Sequence, residues 1–330
     1  MAAAPGSGPA AAAAQPLTGT VTVTVTVTHA LAGMHAVTLA RWQAVCVPAG
    51  PSAACRRAAG AVTIRAAMPT AMPTAVPPSA PAPVSAPAAA AASGSAHEFS
   101  PGLFVRGFTP PQPLSQYKLI AFDMDSTLIN IECVDEIAAA AGRKDEVAAI
   151  TEAVMRGEIS DYKDSLRRRV ALLAGVPERA LQQVYDQRLQ LNPGVEAFVQ
   201  ACQRAGLKTL LVSGGFTFFS ERIRHRLGLD FARANSLGVF NGRLTGTLFD
   251  RPWGDICDGA EKRRVVLEVC ELMGIAPAQA IAVGDGANDL PMMSVAGLSI
   301  AYHGKPAVRE QAMISIESGG MDRALELLQA

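Results

Sequence analysis

A short apolar run, Lys118-Leu-Ile-Ala-Phe122, ends abruptly in acid: Asp123-Met-Asp125-Ser-Thr-Leu128. Such a run reads as a buried parallel strand. In an open α/β sheet, the carboxyl end of a strand is where ligands bind. Two carboxylates this close repel each other, so a positive charge should lie between them. A hard divalent cation with oxygen ligands is the natural candidate. One acid on the cation, with its neighbour aimed at a leaving group, is a sound layout for phosphoryl transfer through an aspartyl phosphate. Taken alone, Asp-x-Asp at a strand end is more often a solvated turn, so its weight depends on the rest of the chain.

The chain has 330 residues and a formal net charge of +0, with no basic stripe. Nothing points to nucleic acid or an anionic membrane as a partner, and no uninterrupted apolar stretch reaches membrane-spanning length. All 29 acids fall at or after Glu98, whereas Arg41, Arg56, Arg57 and Arg65 precede it. Cys46, Cys55, Cys133, Cys202, Cys257 and Cys270 form no Cys-x-x-Cys pair, and no His stands at zinc-finger spacing. Reduced, mostly buried thiols in a cytoplasmic protein are expected.

Residues 1–113 differ from the rest. Poly-Ala tracts, a Thr-Val alternation at 20–28 and a Pro-Ala-Ser stretch at 76–95 offer little large apolar material to bury, so ordering them would not repay its entropy. A disordered extension is expected there. An organelle transit peptide, acid-poor with scattered Arg, is the alternative, as is a translation start further downstream. From Gln116 the pattern becomes regular. Strands are expected at 118–123, 207–212, 279–283 and 298–301, with helices between them. Asn192-Pro193 reads as a helix start with Asn as cap. Residues 235–250 alternate around Asn241-Gly242, a hairpin signal. Strands alternating with helices imply an α/β fold with a doubly wound parallel sheet. The core would span 114–131 and 192–330, and the helical block 132–191 would be an inserted α-helical cap.

Three further motifs fall near strand ends. Ser213-Gly214-Gly215 joins a hydroxyl to backbone N–H groups freed by glycine, an anion cradle if more than a plain turn. Lys262 stands in a charged cluster that could equally be a solvated face. Gly284-Asp285-Gly286-Ala287-Asn288-Asp289 crowds two acids and an amide into one loop, which suits a metal. Together with Asp123-x-Asp125 these motifs resemble the haloacid dehalogenase-like phosphohydrolases, over about 116–330. Asn130-Ile-Glu132 and Tyr162-Lys-Asp-Ser-Leu-Arg-Arg-Arg169-Val extend the resemblance to the phosphoserine phosphatase branch.

The resemblance implies that Asp123 is the nucleophile and Asp125 the general acid and base. Asp123, Asp285 and the main-chain carbonyl of Asp125 would hold Mg²⁺, with Asp289 supporting the metal shell. Ser213, Gly214 and Lys262 would neutralise phosphoryl oxygens, with Asn288 close by. Glu132 suits the ammonium of O-phosphoserine, and the Arg169 guanidinium its carboxylate, although Arg167 and Arg168 compete for that place. The implied partner is this small molecule. A homodimer is left open. Another small phosphometabolite, such as homoserine phosphate, would need the same core but not the Glu132–Arg169 pair. Tyr162 stands where the family usually has Phe, and the segment from Gly157 to Asp161 is about one residue longer than typical. No regulatory ligand-binding domain is legible before the catalytic part.

Overall fold

A computed structural model describes residues 94–155, 161–249 and 255–329. The Ala-rich and Pro-rich tracts, the Thr-Val alternation, Cys46, Cys55 and Gly157 lie outside the described residues.

The first described residues form three short strands, β1 (His97–Ser100), β2 (Leu103–Val105) and β3 (Gln112–Pro113), followed by β4 (Leu119–Phe122). Four helices follow, α1 (Cys133–Ala140), α2 (Lys144–Met155), α3 (Tyr162–Ala171) and α4 (Arg179–Gln187). Then come α5 (Val195–Arg204), β5 (Lys208–Phe216), α6 (Thr217–Leu227), β6 (Phe231–Asn235) and the hairpin β7 (Leu237–Phe240) and β8 (Arg243–Leu248). The remainder holds α7 (Gly259–Met273), β9 (Ala280–Gly284), α8 (Leu290–Met293), β10 (Leu298–Tyr302), α9 (Pro306–Arg309), β11 (Ile314–Ile316) and β12 (Leu328–Gln329).

The main sheet has the order β1-β2-β11-β10-β9-β4-β5-β6. From β11 to β6 the strands are parallel, and β2 and β1 close the far edge antiparallel. The order reverses between β4 and β9, the switch point where a crevice opens at the carboxyl ends. Side chains alternate across β4. Ile120 and Phe122 join an apolar cluster with α5 and α6, while Leu119 and Ala121 join a second cluster with α7 and α8. Both faces are therefore covered, which explains why the strands read as continuous apolar runs rather than alternations. Phe122 meets Phe198 of α5 edge to face at 6.2 Å. Burying such side chains contributes about 1.5–3 kcal/mol each. Among the described residues Cys133, Cys202, Cys257 and Cys270 are free and buried, and no helix is long and apolar enough to cross a membrane.

The structure corrects the sequence reading in three places. Residues 97–105 are not part of a tail: β2 pairs with β11 and covers an edge that would otherwise be unpaired. Asn192 does not cap α5, which starts at Val195 after a left-handed Gly194 at φ 78°. The Asn192 amide instead donates to the carbonyl oxygens of Ser126, Thr127 and Ile129 at 3.3, 2.9 and 3.0 Å. The hairpin forms where expected, with Asn241 and Gly242 both left-handed at φ 50° and 68°. Although grouped with the core by sequence, it packs on the cap: Gly175 N–H donates to Leu244 O at 2.8 Å, and Leu244 N–H to Val176 O at 2.8 Å. Strand β6 (Phe231–Asn235) had no sequence signal, because its length and mixed burial leave no clear period.

Candidate active site

Strand register builds the site. Phe122 pairs with Leu211 of β5 and Val283 of β9. The three segments therefore reach the same edge together: Asp123 and Asp125 after β4, Ser213-Gly214-Gly215 at the carboxyl end of β5, and Asp285 after β9. The Asp123 N–H donates to Val283 O at 2.9 Å.

Lys262 lies fully buried beneath this edge. Its ammonium sits 2.7 Å from Asp123 Oδ1 and 2.7 Å from Asp289 Oδ1. Burial alone would push Lys262 down, but Asp123 and Asp289 hold it above the ordinary lysine value. It is a fixed cation, not a solvated face. The other Asp289 oxygen accepts the N–H groups of Asp285 and Gly286 at 3.1 and 3.0 Å, which ties the β9 loop to the lysine.

Burial and then Asp289 push the Asp123 carboxyl up, against the pull of Lys262. Burial pushes Asp285 up to about 6; Thr127 Oγ1 donates to its Oδ1 at 3.2 Å. Burial, and then the charge of Glu132, pushes Asp125 up to about 7. The Cys133 thiol donates to Asp125 Oδ1 at 3.0 Å. Carboxylate oxygens of Asp123, Asp285 and Asp289 lie within 4.8 Å of one another, and all three residues are buried. An all-oxygen donor set with more acid than Lys262 can neutralise fits a hard divalent cation. Lys262 and two amides engage both oxygens of Asp289, and Asp285 Oδ2 lies 3.6 Å from the Lys305 ammonium.

A cavity of about 550 Å³ opens over these groups. Asp123, Asp125, Ser213, Gly214, Asp285 and Asn288 line its sheet side; Glu132, Tyr162 and Arg169 line its cap side. Every site residue expected from the sequence thus meets in one place, with Lys262 beneath. Ser213 Oγ accepts the Gly215 N–H at 2.8 Å. A Cβ on Gly214 would run into the Tyr162 hydroxyl, so only glycine lets this cap ring close on the main chain. Glu132 Oε1 accepts the Ser126 hydroxyl at 2.9 Å. Arg168 turns away to pair with Asp164 at 2.9 Å, which leaves Arg169 as the guanidinium in the cavity.

Three contributors were not found from sequence. Ser126 holds a left-handed conformation, φ 57°, a strain of the kind that functional loops carry. The Asn235 amide donates to Gly214 O at 2.8 Å while its oxygen accepts the Cys257 N–H at 2.9 Å, fastening the glycine loop to the segment before α7. Asp135 also lines the cavity. Only Asp135 had a legible signal, its place one helical turn after Glu132.

Comparison with known proteins agrees with this geometry. The sequence pattern of the haloacid dehalogenase-like hydrolases matches residues 117–297. The chain is 68% identical over 230 residues to a phosphoserine phosphatase of Albidiferax ferrireducens, covering 70% of this chain and 97% of the relative. A substrate-bound phosphoserine phosphatase complex superposes with a TM-score of 0.59 at 38% identity, covering 64% of this chain and 97% of that one. A phospho-aspartyl intermediate analogue of phosphoserine phosphatase gives 0.59 and 38%, over 64% and 98% of the two chains.

Proposed function

The chain belongs to the haloacid dehalogenase-like hydrolase family, and from that premise we propose that it hydrolyses O-phospho-L-serine to L-serine and phosphate. The observation that carries this reading is a single cavity with two chemically distinct ends. Acids, a glycine loop and a buried lysine stand at the sheet. A carboxylate and a guanidinium stand at the cap, the complement of an amino acid's ammonium and carboxylate. A simple alkyl phosphate has no use for the second end.

Lys262 and the Met124 N–H both donate to Asp123 Oδ1 at 2.7 Å, which leaves Oδ2 with free lone pairs to attack phosphorus. As the Oδ2–P bond forms, the bond from phosphorus to the seryl oxygen breaks. Asp125, which burial pushes up to about 7 so that it can carry a proton near neutral pH, gives that proton to the seryl oxygen. Water then attacks phosphorus, Asp125 takes its proton, and Asp123 is released with inorganic phosphate. Ser213, the Gly214 N–H, Lys262 and Asn288 surround the phosphoryl oxygens. Glu132 and Arg169 hold the serine end and position the leaving oxygen against Asp125. Asp123, Asp285 and the Asp125 carbonyl would hold Mg²⁺; bound there, it supplies positive charge that keeps Asp123 ionised and offsets charge on the phosphoryl group. The proposal extends to a cytoplasmic enzyme, in keeping with its buried free thiols.

The test is Mg²⁺-dependent phosphate release from L-phosphoserine, compared with phosphothreonine and glycerol phosphate. A strong preference for L-phosphoserine is expected, and equal rates on all three would sink the reading. Asp123→Asn should abolish turnover while leaving phosphoserine binding measurable by calorimetry.

A further inference from the structure

Asp135 is a carboxylate that this mechanism does not use. It lies in the first turn of α1, three residues after Glu132, so the two acids share a helix face. Both line the cavity, as does Arg169 from α3. Asp135 Oδ1 is buried and accepts no hydrogen bond; Arg169 Nε is buried and donates none. A buried polar atom without a partner is rare in a native fold and calls for an explanation. Here there are two, an acceptor on Asp135 and a donor on Arg169, residues of opposite charge that line one cavity and feel each other. Glu132 Oε1, meanwhile, already accepts the Ser126 hydroxyl and has less capacity left for a three-donor ammonium.

We propose that Asp135 is a specificity-determining residue, receiving the substrate's α-ammonium together with Glu132 while Arg169, through Nε and its terminal nitrogens, receives the α-carboxylate. An α-amino acid carries a donor and an acceptor on one carbon, which is what an unpaired acceptor and an unpaired donor on residues lining one cavity would accommodate. The inference rests on the phosphoserine reading and deepens it. The competing assignment for Asp135 is an acid stabilising the amino end of its own helix.

The experiment uses the full chain with Mg²⁺ and three substrates: L-phosphoserine, 3-phosphooxypropionate (carboxylate but no ammonium) and p-nitrophenyl phosphate. If the unaltered protein fails to prefer L-phosphoserine, the functional reading fails before any variant is made. Given that preference, Asp135→Asn should raise KM for L-phosphoserine by about tenfold or more, with kcat changed far less. It should leave the other two substrates unaffected. The Ki of L-serine as an inhibitor of p-nitrophenyl phosphate turnover should weaken in parallel, and Asp135→Glu should recover part of the loss. An unchanged KM and Ki would overturn the proposal. So would an equal loss on all three substrates, from misfolding or otherwise, which would assign Asp135 a structural role.

Discussion

Lys262 shows how one side chain serves folding and chemistry together. Two buried carboxylates converge on its ammonium, Asp123 Oδ1 and Asp289 Oδ1 both at 2.7 Å. Removing one partner of a buried ionic cluster strands the remaining charge, at a cost of about 3–5 kcal/mol. Lys262→Met should therefore lower the unfolding free energy measured by urea denaturation by an amount in that range. It should also reduce phosphate release by a factor of about 10²–10³, as expected for loss of a preorganised electrostatic contact. A variant of normal activity would remove Lys262 from the site. Read from its neighbours alone, Lys262 is one cation in a charged cluster, and it was the family resemblance that singled it out. Its neighbours Arg263 and Arg264 look equivalent on paper, and Arg264 pairs with Glu261 at 2.7 Å. Burial separates the three, and burial is a property of the packed helix.

At the scale of elements, the loop between β4 and α1 must hold Asp125 and bring Glu132 back over it. Asn192, just before α5, accomplishes part of this by donating to three carbonyls of that loop. Asn192→Ala leaves those acceptors unpaired and should cost about 1–3 kcal/mol. Because Ser126, inside the loop, is strained, kcat should fall more than KM rises. Chemical denaturation and steady-state kinetics together check both. Asn-Pro before a helical period carries a standard capping signal, and the sequence offered no means of seeing that the amide points to a loop more than sixty residues away. The hairpin was legible for the opposite reason: its Asn241-Gly242 turn is decided by local backbone chemistry alone.

For the molecule as a whole, the cavity's raised carboxyl pKa values set a pH dependence. Asp125 and Asp285 titrate at about 7 and about 6 in the fold, against about 4 for an unfolded aspartate. Below pH 4 both states are protonated and these groups add nothing. Between about 4 and 7 the unfolded chain is ionised while the fold retains its protons, so stability falls as pH rises. Melting temperature in EDTA should accordingly be lower at pH 7.5 than at pH 5. Mg²⁺ should restore more of it at pH 7.5, where the carboxylates are ionised and can bind; a flat profile with no Mg²⁺ effect would contradict the site. A second whole-molecule expectation concerns the chain before the sheet. Deleting residues 1–93 removes none of the site residues expected from the sequence and should leave kcat unchanged. Deleting 1–106 also removes β1 and β2 and uncovers the β11 edge, so melting temperature should drop and aggregation increase.

The sequence by itself determined what is encoded locally. Runs of apolar residues ending in acid placed the central strands, glycine-rich turns marked the loops after them, and the motifs indicated phosphoryl chemistry on a doubly wound sheet. The tertiary structure decided what depends on distant segments meeting. Register set Asp123, Ser213 and Asp285 side by side, burial made Lys262 a counter-ion, and cap packing chose Arg169 over Arg168 and brought Asp135 into the cavity. It also recruited 97–105 as an edge, since a short strand gains its stability from the neighbour it pairs with and little from its own residues.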